Sequence, residues 1–360
     1  MKIGIICNGL VKSGGMERYT LDLIREFHSR GVKIVVFTKK VDKSLEETAM
    51  VQVVKISATL LPKRIQDFYV SSRIPALRIK YPVDLLISCC RCDHSDVFIC
   101  GGTHPGFLEA TKKKKSWFDK AVLFFEKKIY ERVPCVVAHS KLVSREVEHY
   151  FGVSSKRVEV IYPPVDLSLF KPSSCAQRLQ DRQKIIEEFA LDGSKTIFLF
   201  VSSSHKRKGF PLLEQFFENT DLPVTLLVCG RPLPKRQYKN IRYVGYVKEM
   251  EKFYNGVDFS ILASSYEPFG LVAIESIAMG TPVVISKNLG ANEVIQDTVK
   301  TVFDPVSLSS LSKAIENAIK NKKELSERAL MGNDKKFTVN FALPQHVDSM
   351  FSLFRDKWNL

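Results

Sequence analysis

The stretch SSYEPFGLVAIESIAMGTPVV, residues 264–284, decides the fold of this chain. The apolar run at 259–263 predicts a buried strand just before it, and aliphatic residues repeat at helical spacing from Leu271 until Gly280 ends the pattern. Pro268 suits the first turn of such a helix. The stretch therefore predicts a strand, a loop, a helix and a second strand.

Two carboxylates, Glu267 and Glu275, stand eight residues apart in this stretch. If the segment between them is mostly helical, they lie up to about 12 Å apart along the axis, roughly the length of a sugar diphosphate. The amides of Phe269, Gly270 and Leu271 would then point into the site, where the positive end of the helix favours a phosphate. Spacing alone leaves a plainer alternative open, with Glu267 as a loop acid and Glu275 as a solvated helix residue.

Length and composition indicate a globular protein with two cores. The chain has 360 residues, 45% of them hydrophobic, and lacks a run of about 20 apolar residues. Its opening, Met1 to Asn8, has a strand pattern rather than that of a signal peptide, so we expect a cytoplasmic protein. The net charge of +15 calls for an anionic partner such as nucleic acid, a nucleotide, a phosphorylated glycolipid or a membrane surface.

The cysteines raise the question of a metal site. Eight cysteines in a chain of this size do not form a disulfide scaffold, and several lie in apolar runs, so reduced thiols are expected. The segment CCRCDHSD, residues 89–96, offers thiols, an imidazole and carboxylates, but it lacks the paired spacing of structural zinc sites. The sequence therefore predicts no metal site.

The pattern of a strand, a glycine loop and a helix occurs near both ends of the chain. The strand at 2–7 leads to a loop with Gly14 and Gly15 and to a helix over about 16–30, which predicts a parallel βαβ unit. The glycine spacing matches neither the dinucleotide fingerprint nor a Walker loop, and a tight turn is the plainer interpretation. A second unit of this kind begins near Thr196.

A basic loop, SSSHKRKGF at residues 202–210, follows the first strand of this second unit. Lys208 supplies a compact charge and Arg207 a bidentate fork, so the loop is a candidate diphosphate clamp. A solvated basic turn is the alternative. In the first unit, a glycine-rich turn carries His104, which taken alone is more typical of a hydrogen-bonded loop histidine than of a catalytic one.

The most basic stretch covers residues 109–132, where Lys112 to Lys115 run into Trp117 and Phe118. Lysines beside an aromatic and aliphatic face fit a helix at a membrane interface, where each lysine near an anionic surface contributes about 1 kcal/mol. An ordinary amphipathic helix packed on the sheet is equally open. No RNA- or DNA-binding motif is present, so nucleic acid is not the expected partner.

These motifs together resemble a known family. The stretch at 264–284 resembles the E-x7-E motif of retaining, nucleotide-sugar-dependent glycosyltransferases with the GT-B fold, including its E-P-F-G opening and its A-M-G-T-P-V-V close. The segment at 14–18 is similar to the family's G-G-x-E-R, residues 207–209 to its R-K-G element, and residues 158–170 to its interdomain segment, with Pro-Pro in place of Asn-Gly. Many relatives place an arginine where this chain has Ser203.

The resemblance implies an α/β protein of GT-B fold, with two Rossmann-like domains facing across a cleft. The N-terminal, acceptor-binding domain would cover residues 1–170, with a helix at 345–360 crossing back to it, and residues 171–344 would bind the nucleotide sugar. As a catalytic set it implies Glu267 on the donor sugar, Lys208 on the leaving diphosphate and His104 at the acceptor. The implied donor-binding residues are Gly15, Arg207, Lys208, Tyr246, Val247, Phe269, Gly270, Leu271 and Glu275.

The implied activity is retaining, metal-independent hexosyl transfer by front-side displacement, with a nucleotide diphosphate sugar as co-substrate and no other cofactor. The G-G-T-H turn, the basic aromatic stretch and the R-K-G loop are most similar to bacterial lipopolysaccharide-core enzymes, which implies UDP-glucose and a glycolipid or oligosaccharide acceptor. A monomer, peripheral on the inner face of the cytoplasmic membrane through Lys112–Lys128, is expected. A mannosyl- or hexosaminyltransferase for another glycan and a non-catalytic polyanion-binding protein are the alternatives.

Overall fold

The computed structural model describes residues 1–360 and contains two compact α/β units. Unit 1 comprises Met1–Pro164 and Phe341–Leu360, and unit 2 comprises Val165–Asn340. The chain thus passes between the units at 164/165 and 340/341. The boundaries predicted from the sequence were 170/171 and 344/345.

Each unit alternates strands with helices. The strands are β1 (Lys2–Cys7), β2 (Lys33–Thr38), β3 (Gln52–Lys55), β4 (Leu85–Ser88), β5 (Val97–Cys100), β6 (Cys135–Ala138), β7 (Val158–Val160), β8 (Thr196–Ser202), β9 (Val224–Gly230), β10 (Ile241–Gly245), β11 (Phe259–Leu262), β12 (Val283–Ser286) and β13 (Lys300–Phe303). The helices are α1 (Gly15–Ser29), α2 (Gln66–Lys80), α3 (His104–Ala110), α4 (Trp117–Arg132), α5 (Lys141–Phe151), α6 (Cys175–Glu188), α7 (Phe210–Asn219), α8 (Met250–Gly256), α9 (Leu271–Ala278), α10 (Leu308–Lys320), α11 (Lys322–Ala329), α12 (Asn333–Lys336) and α13 (Leu343–Trp358).

Both sheets are parallel throughout. Unit 1 has the strand order β3-β2-β1-β4-β5-β6-β7, and unit 2 has β10-β9-β8-β11-β12-β13. Most strand residues are buried because helices cover both faces, which explains why the strands are continuous apolar runs in the sequence. In each sheet the chain reverses its winding direction once, between β1 and β4 and between β8 and β11. Such a reversal opens a crevice at the carboxyl ends of the two strands, where ligands of doubly wound sheets bind.

The last helix belongs to the core of unit 1. Its residues Val347, Met350 and Phe354 are buried in the same apolar cluster as residues of α1. Phe351 stacks on Phe27 with ring centroids 5.5 Å apart. Trp358 packs against this cluster as well, as a structural residue.

The basic stretch is divided differently from the helix expected over 109–132. Lys112 to Lys115 lie in the loop between α3 and α4, and α4 begins only at Trp117. The reason is local: Ser116 and Asp119 form a capping box in which each side chain accepts from the other residue's backbone N–H. This fixes the start of the helix after the lysine run.

Two buried histidines in unit 1 remain neutral in the folded protein. The Nδ1 of His346 lies 2.9 Å from the carbonyl oxygen of Tyr162, which can only accept, so the Nε2 of His346 accepts from the Tyr19 hydroxyl at 2.9 Å. Burial lowers the pKa of His346 to about 4. Burial, together with His346, lowers the pKa of His139 to about 3.

We expect this pair to make the fold sensitive to acid. The unfolded chain takes up protons below its histidine pKa of about 6.5 while the folded protein does not, so stability is lost as the pH falls from that value toward the folded pKa values. Between pH 7 and pH 5 the loss is about 2 kcal/mol per histidine. His139→Phe removes a ring whose Nε2 has no hydrogen-bond partner, and should abolish that residue's share. Urea unfolding at pH 7 and pH 5 measures this; an unchanged pH dependence in the variant would contradict it.

Candidate functional site

The loops that follow β8 and β11 bring three charged side chains together in unit 2. Arg207 donates through Nη1 to Oε2 of Glu267 at 3.1 Å, and the Nζ of Lys208 lies 3.6 Å from the same oxygen. The hydroxyl of Ser264 also donates to it, at 3.1 Å. Because β8 and β11 are the strands at the reversal, this cluster lies where a doubly wound sheet binds its ligand.

Backbone contacts hold the two loops in register. The amide of Ser265 donates to the carbonyl oxygen of Arg207 at 3.2 Å, and the Arg207 guanidinium donates to the carbonyl oxygen of Tyr266 at 2.9 Å. Gly209 permits this close approach: its φ is +80°, and a Cβ there would lie 1.9 Å from the carbonyl oxygen of Ala263. The sequence Lys208-Gly209 therefore places the lysine at the site and removes the side chain that would separate the loops.

The cluster keeps Glu267 ionised. Burial raises the pKa of its carboxyl, but Lys208, Arg207 and the Ser264 hydrogen bond lower it more, so that the pKa lies below its ordinary value. Two cations facing one carboxylate leave one positive charge in excess. An anionic group such as a diphosphate is the ligand that this excess favours.

The segment after Glu267 corrects one expectation from the sequence. Helix α9 begins at Leu271, so Pro268, Phe269 and Gly270 precede it and the helical estimate of the distance between the glutamates does not apply. The cause is that Glu267 bridges to Leu289 as an extended residue, with its carbonyl oxygen accepting from the Gly290 amide at 3.0 Å. Gly270, with a φ of +104°, turns the chain into the helix.

Glu275 lies inside α9 with only 8% of its surface exposed. The hydroxyl of Tyr254 donates to its Oε2 at 3.0 Å. A solvated helix residue is therefore excluded, and Glu275 is a buried carboxylate with a fixed partner. Tyr254 could not be predicted from the sequence, since it lies in α8 and no spacing rule connects it to the motif.

Tyr246 and Val247 follow β10 and line a cavity of about 370 Å³ in unit 2. Tyr246 is 84% exposed, and Phe189 and Phe253 form part of the cavity wall. Aromatic side chains of this kind can stack on a flat heterocycle, although charged side chains such as Lys184 and Glu249 also line the cavity. The assignment of Tyr246 and Val247 to the base stays a prediction.

In unit 1, the two predicted site residues begin helices. Gly15 is the first residue of α1, and a Cβ there would meet no atom within 4 Å, so its backbone is open to a ligand. His104 is the first residue of α3, and its Nε2 lies 2.9 Å from Oδ1 of Asp119. Hydrogen bonds from Ser116 above all, with smaller contributions from His104 and Lys113, hold the pKa of Asp119 well below its usual range. An ionised carboxylate thus orients the His104 ring.

His104 also lines a second cavity, of about 280 Å³, within unit 1. Its other lining residues, none of which was predicted from the sequence to bind the acceptor, are Lys63, Arg64, Asp67, Phe68, Arg91, Phe118, Val122 and Phe125. They come from α2, α4 and the connecting loops, so only the tertiary fold brings them together.

Two cysteines of the segment after β4, Cys89 and Cys92, are buried. Burial raises the pKa of Cys89 to about 12 and that of Cys92 to about 11, so both thiols stay protonated at neutral pH. No group of three or more His, Cys, Asp or Glu side chains in residues 1–360 is arranged to hold a metal ion. None of the helices combines the length and the apolar composition that crossing a membrane requires.

Comparison with known proteins identifies the family. Residues 13–169 match Glycosyltransferase Family 4, and residues 181–335 match Glycosyl transferases group 1. A protein of Burkholderia thailandensis named "Probable transglycosylase" is 38% identical over 98% of this chain and 96% of its own length. The chain belongs to the group 1 and family 4 glycosyltransferases. Transfer of a glycosyl group is thus its activity.

Solved structures agree on the fold of this glycosyltransferase. WaaG, a glycosyltransferase involved in lipopolysaccharide biosynthesis, aligns with a TM-score of 0.81 at 15% identity over 97% of this chain and 99% of its own. Anabaena HepE in complex with UDP-glucose aligns with a TM-score of 0.73 at 18% identity over 98% of this chain and 100% of its own. These likenesses, with the two parallel-sheet units, make the fold GT-B, as predicted from the sequence.

Proposed function

We propose that the glycosyltransferase moves a hexose from a UDP-sugar to a lipopolysaccharide-core or related glycolipid acceptor, with retention of the anomeric configuration. UDP-glucose is the donor that we propose first. The observation that carries the proposal is the cluster of Arg207, Lys208 and Glu267 at the carboxyl ends of β8 and β11. The UDP-glucose complex of HepE and the lipopolysaccharide role of WaaG support the choice of donor and acceptor.

The cluster suits the charge that develops during transfer. When the bond between the anomeric carbon and the diphosphate oxygen breaks, negative charge grows on the leaving group, and Lys208 and Arg207 stabilise it. Arg207 uses Nη1 for Tyr266 and Glu267, which leaves Nε and Nη2 as donors toward phosphate oxygens. In the proposal these two cations supply the charge stabilisation without a metal ion.

Glu267 and Glu275 take different parts in the proposal. Glu267, kept ionised by the two cations, accepts hydrogen bonds from hydroxyls of the donor sugar. Glu275, oriented by Tyr254, accepts hydroxyls of the nucleotide ribose. In the proposal neither glutamate forms a covalent intermediate. The acceptor oxygen attacks the anomeric carbon from the face that the diphosphate leaves, its hydroxyl proton passes to the departing diphosphate oxygen, and the configuration is retained.

The outer face of α4 supports a peripheral position on a membrane. Trp117 is 75% exposed and Phe124 is 60% exposed, seven residues apart and so on one side of the helix. The Nζ of Lys128 lies 4.6 Å from the centre of the Phe124 ring. Exposed aromatic rings next to lysines fit the boundary of an anionic bilayer.

A thermal-shift series with UDP, GDP, ADP and their sugar conjugates, with and without EDTA, tests the donor. The expected result is selective stabilisation by UDP species that EDTA does not change. Stabilisation only by GDP-mannose would favour the mannosyltransferase alternative, and NMR of the product anomer tests retention. Absence of any shift and of any donor turnover would favour the polyanion-binding alternative.

For the membrane, Trp117→Ala and Phe124→Ala are each expected to weaken binding to vesicles that contain phosphatidylglycerol by about tenfold, because each removes about 1.5 kcal/mol or more of apolar burial. Vesicle sedimentation measures the change. Leu179→Ala, which removes a 68% exposed side chain on α6, is the matched control and should bind normally. Equal binding by all three variants would contradict the assignment of α4.

A further inference from the structure

The cavity in unit 1 that His104 lines is not part of the donor site in unit 2. It holds about 280 Å³, near the lower end of the volumes of small-molecule pockets. We propose that it binds a phosphate group carried on the acceptor saccharide, through Lys63, Arg64 and Arg91. This inference rests on the proposed function and adds the chemical class of the acceptor.

The charges around the cavity do not cancel. Asp67 pairs with Lys39 at 2.7 Å, and Arg91 pairs with Glu126 at 2.8 Å. Lys63 and Arg64 form no ion pair, and both are exposed at the rim. Two positive charges therefore remain without an anionic partner at the rim of the cavity, and this excess favours a doubly charged phosphomonoester.

A buried carboxylate fixes Arg91 and His104 in position. Glu126 is 2% exposed, and its Oε1 accepts from Nε and Nη2 of Arg91, each at 2.8 Å. Its Oε2 accepts from the backbone amide of His104 at 2.9 Å. The Nη1 group of Arg91 is thus held in a fixed direction beside the predicted acceptor histidine. A donor oriented before binding loses less freedom when it contacts a phosphate oxygen.

The walls indicate that the phosphate is attached to a larger group. Phe68 stacks on Phe125 with centroids 4.4 Å apart, and the Arg64 guanidinium lies 5.2 Å from the centre of the Phe118 ring. A site for a free inorganic ion needs no aromatic wall. Apolar walls with a few converging donors are typical of sites for an organic ligand that carries one charged group.

Calorimetric titration with glucose 6-phosphate, glucose and inorganic phosphate tests the proposal on the full chain. The expected Kd for glucose 6-phosphate is at least tenfold lower than for either fragment, and the double variant Lys63→Ala/Arg64→Ala should weaken it at least tenfold. Lys33→Ala/Lys55→Ala removes two exposed lysines outside the cavity and changes the net charge equally, so it should bind normally. Equal affinity in wild type and both double variants would overturn the proposal.

Two further measurements separate the possible failures. Binding to phosphatidylglycerol vesicles is measured for wild type and for Lys63→Ala/Arg64→Ala. If this binding requires Lys63 and Arg64 while glucose 6-phosphate does not bind, the phosphate belongs to a lipid head group and the acceptor assignment is overturned. The thermal shift with UDP reports the donor site alone and should be the same in wild type and both double variants. Absence of that shift in wild type would contradict the proposed function. The titration with glucose 6-phosphate measures the affinity of the cavity and does not depend on the donor site.

Discussion

Lys208→Ala is expected to lower kcat for sugar transfer by about 100- to 1,000-fold, the usual effect of removing one charge-stabilising donor from an active site. The lysine lies 3.6 Å from Glu267 and is mostly buried, so its charge acts in a poorly screened environment. Steady-state kinetics with UDP-glucose, or with whichever donor the thermal shift selects, measures the effect. Most of the loss should fall on kcat, since the leaving-group charge develops in the transition state.

Lys206→Ala is the matched control for this prediction. Lys206 lies in the same loop, two residues earlier, but it is exposed and forms no ion pair. Its removal changes the net charge equally and should leave kcat within about twofold, since a solvated charge is screened. Equal losses in the two variants would assign the effect to the general field of the protein, and transfer that survives Lys208→Ala would refute the role of Lys208.

The sequence predicts the fold well because the relevant signals are local. Parallel strands buried on both faces are continuous apolar runs, and β1, β8 and β11 are each followed by a loop and a helix within a few residues. The string at 264–284 adds the family. The strand order of a doubly wound sheet then predicts that the loop after β8 lies beside the loop after β11. The first loop carries Arg207 and Lys208, and the second carries Glu267.

Features that depend on distant contacts could not be predicted in this way. The helical spacing does not indicate that Glu267 forms a β-bridge with Leu289. Because of this bridge, α9 begins only at Leu271. Tyr254 meets Glu275 from a separate helix. The cavity beside His104 combines side chains of α2 and α4 with Arg91, and none of these residues forms a motif with another. Such groups are set by packing and not by the spacing of residues along the chain.

Gly209→Ala is expected to destabilise unit 2 by about 3 to 5 kcal/mol, from backbone strain and from overpacking against a neighbouring loop. The new Cβ would lie 1.9 Å from the carbonyl oxygen of Ala263 and 2.6 Å from its carbonyl carbon, both backbone atoms that cannot rotate away. The loop after β8 must therefore move away from the loop after β11. Since that movement separates Lys208 from Glu267, transfer should fall together with the free energy of unfolding.

Gly245→Ala separates the two causes. Gly245 has a φ of +84°, close to the +80° of Gly209, but a Cβ there would meet no atom within 4 Å. Its substitution should cost only the conformational part, about 1 kcal/mol. Urea unfolding of both variants gives the difference, which measures how tightly the two loops of the donor site are pressed together. Equal destabilisation by the two substitutions would mean that the loops move apart at little cost in free energy. The close approach of Gly209 to Ala263 would then not hold the two loops together.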